Sequence, residues 1–284
     1  MKKQTIFVAM TLLAVLASSC SNNKPVTPDK AAYDLIGDVS QVQIDTYYAH
    51  EEDGSLIKDR LADQYIVSYN EDGKILSFWR EWTSDKDVYS YNDSICRYES
   101  YKEGTMYSYR EIYYNSWGED SLIITYSPNG EETRRTVFEY NDLKQVIGKS
   151  FFQNGELYDF YDNYAYDKKG NLLQYSVHYA NTPAYEMTYY KTYDKNNRRL
   201  KESLVSNNPK KPSYQKTYEY NDHGFVSKSI DDESTHCWTI NYTYEYDEKG
   251  NYIVCQQRAH KLDKETGKEY DAYLIIERKI SYFD

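Results

Sequence analysis

The chain has 284 residues, a formal net charge of −11 and a mean hydropathy of −0.88. That acidity leaves no electrostatic footprint for nucleic acid. It would also be repelled by anionic lipid, so any membrane association needs an anchor rather than a basic surface. Thirty-five tyrosines, against 8 phenylalanines and 4 tryptophans, exclude a disordered chain, which would be poor in aromatic residues. Tyrosine buries a large ring while keeping its hydroxyl wet, and it favours strands.

In chain order, residues 1–19 read as a secretory leader. Lys2 and Lys3 form its positive end, Ile6 to Leu16 its apolar run, and Ala17 to Ser19 its small-residue exit. The run is too short to span a bilayer, which takes ~20 residues. The stretch "LASSC", Leu16 to Cys20, resembles the lipobox of bacterial lipoproteins. That resemblance implies cleavage before Cys20 and lipid attachment at its sulfur. Residues 20–32, polar and with prolines at 25 and 28, read as a flexible tether after the anchor. No acidic run follows Cys20, which leaves both periplasmic and surface exposure open.

Residues 33–284 form one repeat domain. A tyrosine followed by a turn recurs at Tyr69, Tyr91, Tyr114, Tyr140, Tyr166, Tyr193, Tyr220 and Tyr246, and from Tyr114 onward the spacing is 26 or 27 residues. A second, variable turn lies between successive copies, for example "QNGE" at Gln153 and "DDEST" at Asp231. The runs between turns are rich in Tyr, Thr, Val, Ile and Phe and lack helical periodicity, so each repeat is two strands. In "YDEKGN", Asp247 suits the first position of a type I turn and Gly250 the left-handed position of a hairpin loop with a bulge; Gly170 and Asn197 serve likewise. If Asp247 pairs with Asn251, Cys255 faces Thr243, out of reach of Cys237, so no disulfide is expected there.

The copies "YAYDKKGNLLQY" (164–175) and "YEYDEKGNYI" (244–253) resemble the YD, or tyrosine–aspartate, repeat also found in Rhs-type proteins. The opening "DLIGDVSQVQIDTYY" (34–48) resembles the first strand of lipoproteins carrying such repeats. In the large Rhs proteins the repeats form a shell around a toxin; no such toxin domain is expected here. The expected fold is all-β: one antiparallel meander of about 16 strands, coiled or strongly bent, because open twisted sheets rarely exceed ~10 strands. A membrane barrel would need a continuous apolar face toward lipid. Residues 214–220 offer Tyr, Lys, Tyr, Tyr on one face and Gln, Thr, Glu on the other, so neither face suits lipid.

Chemistry is sparse. None of the five histidines lies in a zinc-binding spacing, and there is no nucleophile elbow and no phosphate loop. The densest set of potential metal ligands is Asp231, Asp232, Glu233 and His236, at a variable turn where solvated carboxylates are the plainer explanation. No catalytic residue and no cofactor is expected. Ligand contact, if it occurs, falls to the tyrosines, with Tyr244, Tyr246 and Tyr252 beside the best-formed turn as the candidates. The expected function is a non-enzymatic binding or scaffold module of the cell envelope, anchored by lipid to a bacterial membrane, foremost the outer one. Its partner would be an envelope protein or polysaccharide. A glycan-binding protein using a tyrosine-rich sheet face is the first alternative, and an envelope hydrolase the second.

Overall fold

The computed structural model describes residues 33–283, apart from 82, 93 and 210. The leader, Cys20 and the tether of the sequence analysis lie outside the described residues. Eighteen strands follow in chain order. They are β1 (Val39–Glu52), β2 (Ser55–Tyr69), β3 (Ile75–Arg80), β4 (Asp85–Tyr91), β5 (Ile95–Lys102) and β6 (Thr105–Tyr114). Next come β7 (Asp120–Tyr126), β8 (Glu132–Tyr140), β9 (Val146–Gln153), β10 (Glu156–Tyr166), β11 (Leu172–Tyr179) and β12 (Glu186–Tyr193). The last are β13 (Arg199–Ser206), β14 (Tyr214–Tyr220), β15 (Val226–Glu233), β16 (His236–Tyr246), β17 (Tyr252–Asp263) and β18 (Glu269–Tyr282).

Each strand pairs antiparallel with its neighbours in sequence, and β1 also pairs with β18, from Val39 opposite Tyr282 to Ala49 opposite Tyr273. The sheet is therefore a closed up-and-down barrel. This corrects two expectations. The meander is not an open coil: closure removes both free edges, which a sheet this long would otherwise expose. It has 18 strands rather than about 16. The eight repeat turns account for β2 to β17, whereas β1 precedes the first of them and β18 follows the last. Those two are the strands that meet at the seam.

The repeat turn is built as its residues predict. The Gly250 amide donates to the Asp247 carbonyl (3.1 Å), the Asp247 amide to the Asn251 carbonyl (2.8 Å), and Gly250 has φ +87°. Asp247 Oδ1 accepts the amides of Lys249 and Asn251, each at 2.9 Å. Asp167, Asp194, Asn141 and Asn115 accept equivalent pairs of amides in their own copies. One feature escaped the sequence. In seven of these hairpins the strand leaving the turn carries one extra residue: Leu76, Ser121, Ile147, Leu173, Leu200, Ser227 and Ile253. That bulge shifts the register by one, so Cys255 faces Tyr244 and not Thr243. Cys96, Cys237 and Cys255 are all free thiols.

All repeat turns gather at one rim, together with the start of β1 and the end of β18. The variable turns form the other rim. Three of them, at Asp53–Gly54, Glu103–Gly104 and Asn154–Gly155, have both central residues at positive φ, the two-residue turn that matches strand twist. Alternation along the strands then divides side chains between two walls. Val42, Ile44, Val67, Cys96, Val177, Met187, Leu204 and Cys255, all buried, share one continuous face by register, the inner one. The opposite wall carries charge at mid-strand, including Arg97, Glu99 and Glu111 as one ion-pair group, and Lys228 with Glu219.

Candidate functional site: the inner wall

The repeat tyrosine acts first on structure. Its hydroxyl donates to the backbone carbonyl at the first residue of the strand that leaves the preceding repeat turn. Tyr91 reaches Ile75 (2.8 Å), Tyr140 Asp120 (2.6 Å), Tyr166 Val146 (2.7 Å), Tyr193 Leu172 (3.0 Å) and Tyr220 Arg199 (2.7 Å). These five bonds fasten a hairpin to the one before it around the rim.

At the seam the pattern is replaced by a clamp on the incoming chain. Asn251, 0% exposed, accepts the Ile36 amide (2.6 Å) and donates to the Ile36 carbonyl (2.9 Å) and the Tyr282 hydroxyl (2.8 Å). Tyr282 in turn donates to Asp247 Oδ2 (2.5 Å), and the Phe283 amide to the Asp38 carbonyl (2.9 Å). Leu35 is 1% exposed within the main core, among Val39, Val42, Ile44, Val67 and Cys255. Entry segment, first strand and last strand are therefore joined at one point.

Tyr244, Tyr246 and Tyr252 belong to that core. Tyr252 meets Phe225 and Tyr244 edge-on (5.4 and 5.3 Å between centroids), and Tyr246 stacks beside Tyr244 (6.1 Å). Tyr244 donates to the Val226 carbonyl (2.8 Å), and Tyr246 accepts from Asn221 (2.9 Å). Arg278 lies 3.5 Å over the Tyr252 ring. Burial raises the phenol pKa of all three. Their rings meet one another and Phe225.

Nor do the candidate metal ligands converge. Asp231 faces inward and pairs with Lys216 (2.6 Å); Asp232 faces outward and pairs with Lys264; Glu233 lies 3.6 Å from His236. No cluster of three such ligands occurs among the described residues.

A wall of rings forms instead across β9 to β12, in the partly buried region around the second core of Val177, Met187 and Leu204. Phe151 and Tyr161 lie 4.7 Å apart, Tyr161 and Tyr175 5.8 Å, and Tyr175 and Tyr189 4.7 Å, the last pair nearly parallel at 7°. Tyr164, lifted by an irregularity in β10, adds a ring 5.7 Å from Tyr175. Charges stand among these rings on the same inner face. Lys149 sits over Phe138 (4.8 Å) and Lys191 over Tyr175 (5.7 Å), while Glu202 is held by Arg199 (2.6 Å) and the Tyr214 hydroxyl (2.9 Å). Burial lowers the pKa of both lysines and raises that of Asp159. Sequence reading missed this group, although a parity count of "EMTYYKTY" puts Met187, Tyr189, Lys191 and Tyr193 on one face.

Two clefts open near the variable rim. One, of about 520 Å³, is lined by Trp79, Lys86, Tyr101 and Glu103 among others, and one of about 270 Å³ lies by Glu156 and Tyr158. Each holds a single carboxylate, where glycoside hydrolysis calls for a pair.

Fold and wall together define a closed β-barrel with charge on its outer surface and an aromatic, cation-bearing interior. No family model and no curated protein matches the sequence. Among solved structures, the chain is similar to a porin-like protein from Bacteroides uniformis, with TM-score 0.49 and 12% identity over 86% of this chain and 96% of that one. A porin-like protein from Bacteroides vulgatus gives TM-score 0.37 and 12% identity over 87% and 99%. Likenesses at those scores say nothing of activity; the closed barrel rests on the strand pairings within this chain.

Proposed function

We propose that the chain is a non-enzymatic binding module of the bacterial envelope, a lipoprotein of YD-like repeats held by lipid at Cys20 to the outer membrane. The supporting observation is topological. The chain enters and leaves the barrel at the rim of repeat turns, where Asn251 clamps Ile36. An anchor at Cys20 thus holds that rim toward the membrane, on a tether of twelve residues after Cys20 that extends at most ~40 Å. The outer wall suits water: a charged side chain facing lipid at mid-bilayer costs about 2–4 kcal/mol. The variable turns then face away from the membrane, toward periplasm or medium.

The test is Cys20→Ala in the full chain. The variant should leave the detergent phase for the aqueous phase on phase partitioning, while the unaltered chain stays with detergent. Equal partitioning of the two would defeat the anchor.

A second reading gives the module a glycan ligand. It is favoured by the inner tyrosine wall, because sugar rings stack on half-buried aromatic faces. A glycan array that stays blank while crosslinking in the envelope captures a protein would defeat it.

A further inference from the structure

Two lysines on the inner wall lack an ionic partner. Among the described residues no carboxylate lies within ion-pair distance of Lys149 or Lys191, although other inner-face cations, Lys216 and Arg80, are paired, with Asp231 at 2.6 Å and Asp63 at 3.1 Å. Both are half-buried, and burial lowers both pKa values. Taking an ammonium out of water without a counter-charge is unfavourable. Glu202 stands opposite Lys191, but its carboxylate is held by Arg199 and the Tyr214 hydroxyl, and Asp120 attracts Lys149 only from beyond ion-pair distance. Around the two lysines stand rings: Phe138 and Tyr175 beneath them, and Phe151, Tyr161, Tyr164 and Tyr189 between them. They stand three strands apart on β9 and β12, close enough for the charge of Lys149 to be felt at Lys191. Lys211, from the turn between β13 and β14, adds a third cation 5.8 Å over Tyr179 at the mouth of the same wall. Asp159 Oδ1 is buried without a hydrogen-bond partner among the described residues.

We infer that the inner wall of β9–β12 binds an acidic glycan, a chain of sugars bearing carboxylate or sulfate groups. This rests on the second reading above and gives it a ligand class. The flat C–H faces of the sugars stack on the ring ladder. Lys149 and Lys191 receive two anionic groups from different sugars, and Asp159 accepts a sugar hydroxyl. Stacking alone would take a neutral glycan as well; the two lysines without an ion-pair partner select the acidic one. A compact anion would satisfy one lysine and leave the ladder idle.

The test is affinity electrophoresis of the full chain, purified in detergent, through gels containing polygalacturonate, dextran or polyglutamate. Polygalacturonate should retard the protein strongly, and less as salt rises; dextran and polyglutamate should not. Lys149→Met and Lys191→Met should each weaken retardation at least tenfold, and Tyr175→Leu likewise. Lys191→Arg should retain most of it, and Lys228→Met, on the outer wall, should leave it unchanged. Melting curves of the lysine variants should match or exceed the parent, since each removes a desolvated charge, so lost retardation cannot be put down to unfolding. Equal retardation by polyglutamate, or unchanged retardation in both Met variants, overturns the proposal. Retardation by dextran alone overturns the acidic ligand while leaving the glycan reading standing. Neither result touches the Cys20 anchor, which partitioning tests separately.

Discussion

Asn251 shows how much can rest on one side chain. It is fully buried, with its amide spent on Ile36 and Tyr282. Asn251→Ala leaves a backbone amide and carbonyl without partners at the point where the chain enters the barrel. An unsatisfied buried polar group costs about 1–3 kcal/mol, so urea unfolding should show a loss of about 3 kcal/mol. Tyr166→Phe removes one hydroxyl bond, to Val146, and keeps the ring; the expected loss is about 1 kcal/mol. The asymmetry separates a clamp, which holds three groups at once, from a fastening made five times around the rim. Both tests are of stability; Asn251 lies away from the wall assigned to the ligand, and Tyr166, stacked beside Tyr164 at its edge, keeps its ring in the variant.

At the scale of the hairpin, sequence and structure agree where chemistry is local. Asp247 and Gly250 announce their turn because the turn's own amides and dihedrals require those residue types. The bulge beside it was illegible: its extra residue is Leu, Ser or Ile in different copies, with no type in common, and only pairing reveals it. The inner wall was half-legible. Tyrosine and lysine alternate visibly in "EMTYYKTY", but which face turns inward depends on curvature that a single strand does not carry. One copy breaks its own rule. Lys144 sits at φ +62° where the others place Gly or Asn. A side chain in that region is disfavoured by about 1–2 kcal/mol. Lys144→Gly should therefore raise the melting temperature, whereas Gly250→Ala, at φ +87°, should lower it.

Across the whole molecule the tyrosines become a collective titration. Burial pushes the phenols of Tyr140, Tyr220 and Tyr242 up to about 12, while unfolded tyrosine ionises near 10. A raised folded pKa gives stability that is fully present below the unfolded value and is lost as pH rises through the folded one. The barrel should hold to about pH 10 and unfold cooperatively as pH approaches 12, with tyrosinate absorbance and loss of sheet circular dichroism rising together. Lys149 and Lys191, shifted down, act in the opposite sense below their ordinary range, but they are two against many phenols. The seam has a consequence of another kind, for the order of assembly. Every other strand can pair with a neighbour as it emerges, but Val39 must wait for Tyr282. Until then β1 presents a bare edge to any chain nearby, and ring closure over so long a separation is slow. Deleting residues 269–284 should freeze that waiting state and yield oligomers by light scattering; a monodisperse monomer would show that the edge is guarded by other means.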